Sequence, residues 1–242
     1  AVCSEAEDFD AFMKTLADPL PITIRLHAQG KFRNVIRDRI LGELSEGFPV
    51  TTTEEERLTN SKVPDVINPP EPIAWFPEDN GWRFGVSKPC LRKVKALAGL
   101  KEFLKEETEN GEIIRQEEAS MIPPFFLDVQ RHHRVLDMCA APGSKTSQLL
   151  EALHADDAEH DFQPPSGMVV ANDANSQRAY MLVSRLKSLN SPNLVVTSHD
   201  GQRFPNINRL DDSAHVARSE HGFFDRVLAD VPCSGDGTLR KA

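Results

Sequence analysis

The pattern of apolar and polar residues predicts a small mixed module in the first part of the chain. Apolar residues recur at helical spacing from Phe9 to Leu16, and Asp18-Pro19 ends that helix. The segment PITIRLH at 21–27 alternates like a half-buried strand, and a second helix is predicted from about Phe32 to Leu44, with Val35, Ile36, Ile40 and Leu44 facing inward. Residues 51–80, rich in Thr, Glu and Pro, are predicted to be a linker or loop.

Two further helices are predicted before the next strand. The first runs from Leu91 to Asn110-Gly111, with a possible break at Gly99, and its apolar face is formed by Val94, Leu97, Leu100 and Leu104. The second runs from Glu117 to Val129, where Pro123-Pro124 is compatible with a helix only near its first turn.

The second part of the chain contains four apolar strands, and each carries a polar residue at or near its carboxyl end. They read VLD from Val135, GMVVAND at 167–173, NLVVTSHD at 193–200 and FDRVLADVP at 224–232. Near-continuous apolar runs with helical segments between them are typical of a parallel sheet that is covered on both faces. Because parallel strands end at one edge, the acids are expected to form one lip of a pocket. The polar segments 154–166 and 205–222 are predicted to be surface loops.

The first of these strands ends in a turn of small residues. Cys139, Ala140, Ala141, Pro142 and Gly143 precede a helix predicted from Thr146 to Leu153, with Ser144 as a candidate N-cap. A P-loop would need glycines where Ser144 and Cys139 stand, and a dinucleotide fingerprint needs three spaced glycines where only Gly143 is present. The turn is therefore expected to bind a ligand that need not carry phosphates.

Composition narrows the class of protein further. The net charge of −9 argues against a protein that binds nucleic acid through bulk charge. Three basic clusters remain either solvated faces or RNA contacts: Arg25, Lys31, Arg33, Arg37 and Arg39; Lys88, Arg92, Lys93 and Lys95; and Arg131, His132, His133 and Arg134. No apolar run approaches the roughly 20 residues of a membrane-spanning helix. The four cysteines form no CxxC pair, so neither a metal site nor a disulfide framework is expected, and a reducing compartment fits best.

Several of these motifs together resemble a known enzyme family. DMCAAPGSKT, the acid after the second strand, His199-Asp200 and DVPCSGDGT are similar to the Nol/Nop/Sun (RsmB-type) family of RNA cytosine-C5 methyltransferases. IRQEEASMIPPFFLDV resembles the eukaryotic tRNA branch of that family in particular. The resemblance implies an α/β fold: the first four strands of a Rossmann-like class I methyltransferase sheet, preceded by a small α/β module. We expect residues 1–87 to form this module and a linker with possible RNA contact, and residues 88–242 to form the methyltransferase domain.

The resemblance also implies a cofactor, a partner and a place in the cell. The cofactor is S-adenosylmethionine, and the partner is RNA, most specifically tRNA. A nuclear location, which includes the nucleolus, or a cytoplasmic one is expected from the same branch. No membrane or metal partner is implied.

Position in the sheet and the resemblance together suggest roles for the cofactor-site residues. Asp173 is expected to accept hydrogen bonds from the ribose hydroxyls and Asp200 from the adenine amino group. The turn from Cys139 to Lys145, which contains Ala140, Ala141, Pro142, Gly143 and Ser144, is expected to contact the amino-acid end. Arg178 matches a cofactor contact of the family, and Asp137, inside its strand, is expected to be structural.

Methylating C5 of cytosine requires covalent help, because a thiolate must add to C6 before C5 can attack a methyl group. The resemblance implies that Asp230 binds the cytosine edge and is also close to the cofactor, that Lys145 orients the substrate or Asp230, and that Cys233 assists product release. In the family the attacking cysteine follows a later strand, in a Thr-Cys pair that these 242 residues lack. The chain is therefore expected to be a fragment without the nucleophile.

Two other readings stay open at this point. Methyltransferases acting on an exocyclic amine typically carry Pro-Pro-aromatic after the fourth strand, and Pro232-Cys233-Ser234 argues against that chemistry. A binding module that keeps affinity for cofactor or RNA without turnover is the third possibility.

Overall fold

The chain forms two compact units in the computed structural model, which describes residues 6–59, 63–207, 209–210, 216–217, 222–235, 238 and 240. One unit comprises Ala1–Arg115 together with Pro232–Ala242, and the other comprises Gln116–Val231.

The first unit is built around an antiparallel sheet. Its helices are α1 (Ala6–Ala17), α2 (Arg33–Arg39), α3 (Glu54–Thr59), α4 (Lys88–Lys93) and α5 (Ala98–Asn110). Its strands are β1 (Pro21–Leu26), β2 (Val50–Thr51), β3 (Val66–Ile67), β4 (Glu71–Pro72), β5 (Gly81–Ser87) and β6 (Ile113–Arg115). Four of them form a sheet in the order β4-β5-β1-β6, and β2 pairs with β3 separately. Short elements thus occupy part of the segment that was predicted to be a loop.

Strand β1 is more deeply buried than its sequence pattern predicts. Ile22, Ile24 and Leu26 belong to the core, but Thr23 and Arg25 on the other face are buried as well. The prediction of a half-buried strand was wrong: β1 is an inner strand of the sheet, between β5 and β6, and the side chains on both of its faces are buried.

The helices of this unit agree with the predicted positions but differ in detail. Residues 40–44 continue α2 as a π-helical turn, and Ile36 and Ile40 are buried as expected, whereas Val35 is 54% exposed. The predicted break at Gly99 lies instead at Val94, whose backbone is extended. Gly111 ends α5 with φ 82°, a conformation that favours glycine, so that end of the helix is confirmed.

The second unit contains a parallel sheet. Its helices are α6 (Glu118–Phe126), α7 (Ser144–Leu153) and α8 (Ser176–Leu186), and its strands are β7 (Arg134–Asp137), β8 (Met168–Asn172), β9 (Leu194–Thr197), β10 (Arg209–Leu210), β11 (Val216–Ala217) and β12 (Arg226–Leu228). The four predicted strands are confirmed: they form one sheet in the order β12-β7-β8-β9, and every neighbouring pair is parallel. The core below this sheet is formed by Val129, Val135, Leu149, Leu150, Leu153, Val169 and Leu228.

Two local predictions in this unit need correction. Pro123 and Pro124 lie inside α6 rather than in its first turn, and the helix ends soon afterwards at Phe126. Pro124 has no amide to donate to the Ser120 carbonyl, which accepts from Gln116 Nε2 instead (2.9 Å). The segment 205–222, predicted to be a loop, contains the antiparallel pair β10–β11. Residues 208, 211–215 and 218–221 of that segment lie outside the described part of the chain.

The boundary between the units differs from the one expected between residues 87 and 88. The division falls after Arg115, because β6 pairs with β1 and so keeps α4 and α5 with the first sheet. The end of the chain also joins this unit, since Arg240 hydrogen-bonds the backbone of Asp18 and Leu20. Among the described helices, none is long and apolar enough to cross a membrane.

Candidate cofactor and substrate site

The parallel sheet of the second unit reverses its strand order at β7. From β7 the chain proceeds to β8 and β9 on one side, and it later returns to place β12 on the other. In such sheets, ligands bind at the carboxyl edge where the order reverses. The turn after β7 and the ends of β8, β9 and β12 all lie at this edge.

The turn after β7 is fixed by hydrogen bonds and by one glycine. The Ala140 amide donates to the Asn172 carbonyl (2.7 Å), and the Gly143 amide donates to the Ala140 carbonyl (2.8 Å). The Ala141–Pro142 peptide bond is cis. Gly143 has φ 104° and forms the N-cap of α7. The prediction that Ser144 caps this helix was wrong, because Ser144 is the first residue of the helix. Only glycine adopts this φ readily, which explains why the cap is not a serine.

Asp173 is an integral part of this turn. It is 3% exposed, and its Oδ2 accepts a hydrogen bond from the Ala141 amide (3.3 Å) while its Oδ1 accepts one from the Asn175 amide (3.0 Å). Arg178 lies beside it: one guanidinium nitrogen is 3.3 Å from Oδ2 and donates to the Ala141 carbonyl (2.7 Å). The structure therefore brings together Asp173, Arg178 and Ala141, all of which the sequence nominated.

The ends of β8 and β9 are joined through Asn172, which sequence reasoning missed. Its side-chain amide donates to the carbonyls of Met138 (3.0 Å) and His199 (2.8 Å). Its Oδ1 accepts from Thr197 Oγ1 and from the His199 amide, both at 2.9 Å. The available signal was its place, directly before Asp173 at the end of an apolar strand.

Asp200 lies beyond β9 in an exposed loop. Its Oδ1 accepts a hydrogen bond from the Gln202 amide (3.1 Å), which begins a single 3₁₀ turn over Gly201–Arg203. A carboxylate has about four acceptor positions, so this bond leaves Asp200 able to accept from a ligand amino group.

Lys145 and Asp230 form the polar pair of the site. Lys145 Nζ donates to Asp230 Oδ2 (2.7 Å) and to Ser120 Oγ (3.1 Å). The Lys145 side chain is 15% exposed and that of Asp230 57%, so the lysine is held while the carboxylate faces solvent. Ser120, on α6, was not nominated by the sequence, although it belongs to the IRQEEASMIPPFFLDV segment.

Asp137 occupies the interior of the second unit, as its place in a strand predicted. It is 1% exposed, and Thr146 Oγ1 donates to its Oδ2 (2.7 Å). Burial raises the pKa of this carboxyl to about 6, although the hydrogen bond from Thr146 and the charge of Lys145 oppose the shift. Asp137 is thus a structural acid whose charge is costly at neutral pH.

Replacing Asp137 with asparagine is expected to stabilise the second unit at pH 7 by about 2 kcal/mol. Because the pKa of Asp137 is raised in the folded state, the unfolding free energy of the wild-type protein is highest below about pH 4. It falls as pH rises from there through about 6. Asparagine can still accept from Thr146 but carries no charge. The difference in unfolding free energy between the two proteins, measured from pH 4 to 7.5, should therefore grow with pH; a constant difference would contradict the raised pKa.

The two cysteines near the motifs differ in setting. Burial, with the nearby carboxylates of Asp173 and Asp137, raises the pKa of the Cys139 thiol, which disfavours a nucleophilic thiolate there. Cys233 is exposed and belongs to the first unit rather than to the unit that carries the site. Its part in product release stays a prediction. No group of three or more His, Cys, Asp or Glu side chains suited to a metal ion occurs in the described ranges.

The three basic clusters are not equally available to an anionic partner. Arg33 pairs with Glu78, Arg39 with Glu107, Arg131 with Asp157, and Arg134 with Asp225. Arg25 is fully buried. By contrast, Lys88, Arg92, Lys93 and Lys95, on α4 and just beyond it, are all exposed.

Comparison with known proteins gives this site a context. Residues 124–242 match the family model described as 16S rRNA methyltransferase RsmB/F. The chain is 45% identical over 240 residues to the multisite-specific tRNA:(cytosine-C(5))-methyltransferase of Saccharomyces cerevisiae, covering 97% of this chain and 32% of the relative. It is 40% identical over 242 residues to the tRNA (cytosine(34)-C(5))-methyltransferase of Drosophila melanogaster, covering 99% of this chain and 31% of the relative. The chain thus spans about a third of the length of these relatives.

Solved structures support the fold. A methyltransferase homolog protein from Pyrococcus horikoshii is similar with a TM-score of 0.55 and 21% identity, over 95% of this chain and 56% of that one. NSun6 from the same organism, solved with SFG, has a TM-score of 0.57 and 15% identity, over 94% of this chain and 67% of that one. The strand order of the parallel sheet and these structural matches together show a Rossmann-like class I methyltransferase fold. Residues 124–242, which match the RsmB/F family model, contain all four strands of that sheet.

Proposed function

We propose that the protein uses S-adenosylmethionine to methylate C5 of cytosine in tRNA. The observation that carries this proposal is the Lys145–Asp230 pair (2.7 Å) at the carboxyl edge of the sheet, on the side where the strand order reverses. The names of the two relatives give the same reaction, and the family model is described as an RNA methyltransferase of 16S rRNA.

The residues at this edge fit the chemistry of S-adenosylmethionine. The cofactor offers hydroxyl and amino donors and one sulfonium cation, and the edge offers the carboxylates of Asp173, Asp200 and Asp230 as acceptors. The first turn of α7 begins at this edge, so its amides and the positive end of the helix dipole fit the amino-acid carboxylate. When bound, the cofactor supplies an electrophilic methyl group. Cys139, Ala140, Ala141, Pro142, Gly143 and Ser144 would line its amino-acid end.

The substrate side of the site is formed by Asp230 and Lys145. The exposed carboxylate of Asp230 can accept hydrogen bonds from the cytosine amino group and from N3–H when N3 is protonated, which makes C6 easier to attack. Lys145 fixes the orientation of this carboxyl, because its ammonium is held at a second point by Ser120. The hydrogen bond from Thr146 to Asp137 also holds the first turn of α7 against the end of β7.

Methylation of tRNA by protein expressed from the complete coding sequence tests the proposal. Wild-type protein should transfer labelled methyl groups from S-adenosylmethionine to C5 of cytosine, and Asp230→Asn should lower the rate at least about 100-fold. Asp225→Asn is the matched control, since Asp225 lies before the same strand and binds the Arg134 amide (2.7 Å), away from the carboxyl edge. Methyl transfer to an exocyclic amine, or an Asp230 variant as active as wild type, would refute the proposed chemistry.

We also propose that the exposed cations of α4 contact the tRNA backbone. These four residues lie in a stretch, 88–101, that contains no acidic residue, whereas the arginines of the other clusters mostly pair with acids of the same unit. Replacing Arg92 and Lys93 with alanine should weaken tRNA binding about equally for all sequences and lower the slope of log K against log salt by about 1 to 2. Replacing Lys101 and Lys105 on α5 provides a control of equal charge. An unchanged salt slope would exclude the α4 contact.

The nuclear or cytoplasmic location expected from the resemblance stays part of this proposal.

A further inference from the structure

The side-chain amide of Asn172 hydrogen-bonds both of the loops that flank the proposed cofactor site. It donates to Met138, directly before the Cys139–Gly143 turn, and to His199, directly before Asp200. Its backbone carbonyl also accepts from the Ala140 amide (2.7 Å). The side chain is 0% exposed, so water does not compete for these bonds.

The hydrogen-bonding capacity of this side chain is fully used. Both N–H groups donate to backbone carbonyls, and Oδ1 accepts twice, from Thr197 and from the His199 amide. An aspartate of the same shape could accept the last two bonds but could not donate the first two. The site therefore requires an amide in particular, and not only a polar residue of this size.

We infer that Asn172 is a positioning residue for the proposed cofactor site. It acts by fixing the distance between the turn that contacts the amino-acid end of S-adenosylmethionine and the Asp200 carboxylate that contacts its adenine. It touches neither end itself. This inference rests on the proposed function, because it concerns the geometry of that site.

A second asparagine in the same unit provides a matched control. Asn193 Nδ2 also donates to two backbone carbonyls, those of Pro165 (2.8 Å) and Gly167 (2.7 Å). It precedes β9, at the amino edge of the sheet, and is therefore remote from the carboxyl edge. Asn172→Asp and Asn193→Asp each place a carboxylate against two carbonyl oxygens, one at each end of the same pair of strands.

The test is calorimetric binding of S-adenosylmethionine to the chain and its variants, well below their thermal transitions. Asn172→Asp should weaken binding by about tenfold or more, while Asn193→Asp should leave it within about twofold even where the two lose similar stability. Equal affinities for wild type and a folded Asn172→Asp would overturn the inference. Equal losses for both variants would do so too, since they would indicate general destabilisation.

A double-mutant cycle keeps the inference testable if the aspartate variant does not fold. Asn172→Ala and Asp200→Ala should together cost less affinity than the product of their single losses, because Asn172 acts partly through Asp200. Strictly multiplicative losses would contradict this. If the wild-type chain, shown to be folded, bound no S-adenosylmethionine, the proposed function would fail first; wild-type binding with an unaffected Asn172→Ala would remove this inference alone.

Discussion

Replacing Asp173 with alanine is expected to lower the affinity for S-adenosylmethionine about 100-fold, or roughly 2.8 kcal/mol. Two losses combine in this variant. The ribose hydroxyls lose their charged acceptor, and the Ala141 amide and Arg178 lose the partner that holds the turn after β7. Calorimetric titration of the folded variant measures the change.

The neighbouring arginine separates the two losses. Arg178 is 50% exposed and contacts Asp173 and Ala141 from outside, so Arg178→Gln should weaken binding by no more than about threefold. A folded Asp173→Ala variant that binds as tightly as wild type would show that this buried carboxylate only supports the turn. The ribose hydroxyls would then have to bind to another residue.

The second large effect is expected from Gly143→Ala, which should destabilise the second unit by about 3 kcal/mol. The φ of 104° is unfavourable for any residue with a Cβ, and a Cβ here would lie 2.7 Å from Leu182 Cδ1 in the core under α8. Hydrogen exchange of the β7 and β8 amides reports the stability of this unit separately from the other.

Two variants test the cause of this loss. Gly99→Ala, in α5, has open space around the new methyl group and should be neutral or stabilising by up to about 1 kcal/mol. Combining Gly143→Ala with Leu182→Ala should recover the part of the loss that comes from the contact, leaving the part due to φ. If the double variant simply summed the two single losses, the clash with Leu182 would not be its cause.

The four parallel strands were predictable because an apolar run followed by an acid carries both its burial and its direction in the local sequence. Asp173, Asp200 and Asp230 could be assigned to one edge for the same reason, since parallel strands end together. The burial of both faces of β1 could not be predicted from its sequence. Its alternation suggested one exposed face, whereas Thr23 and Arg25 are buried by packing against segments distant in the chain, which the local pattern does not encode.

The supporting contacts of the site could not be predicted, because they depend on distances between segments far apart in the chain. Ser120 reaches Lys145 from α6, and Asn172 reaches Met138 and His199 from β8. The place of Asn172 before Asp173 was a signal for the residue, but neither contact can be identified from one segment alone. The division of the chain after Arg115 likewise depends on distant segments: β6 is three residues long, and its pairing with β1 is what assigns α4 and α5 to the first unit.

Hydrogen–deuterium exchange of the chain with and without S-adenosylmethionine tests the central claim most directly, because it locates the ligand as well as detecting it. The account predicts slower exchange in three segments, 138–147, 172–178 and 198–203, with β5 and β1 of the first unit unchanged. Saturable binding that slows exchange elsewhere, or a folded chain whose exchange does not respond to the cofactor, would contradict a cofactor site at the carboxyl edge of this sheet.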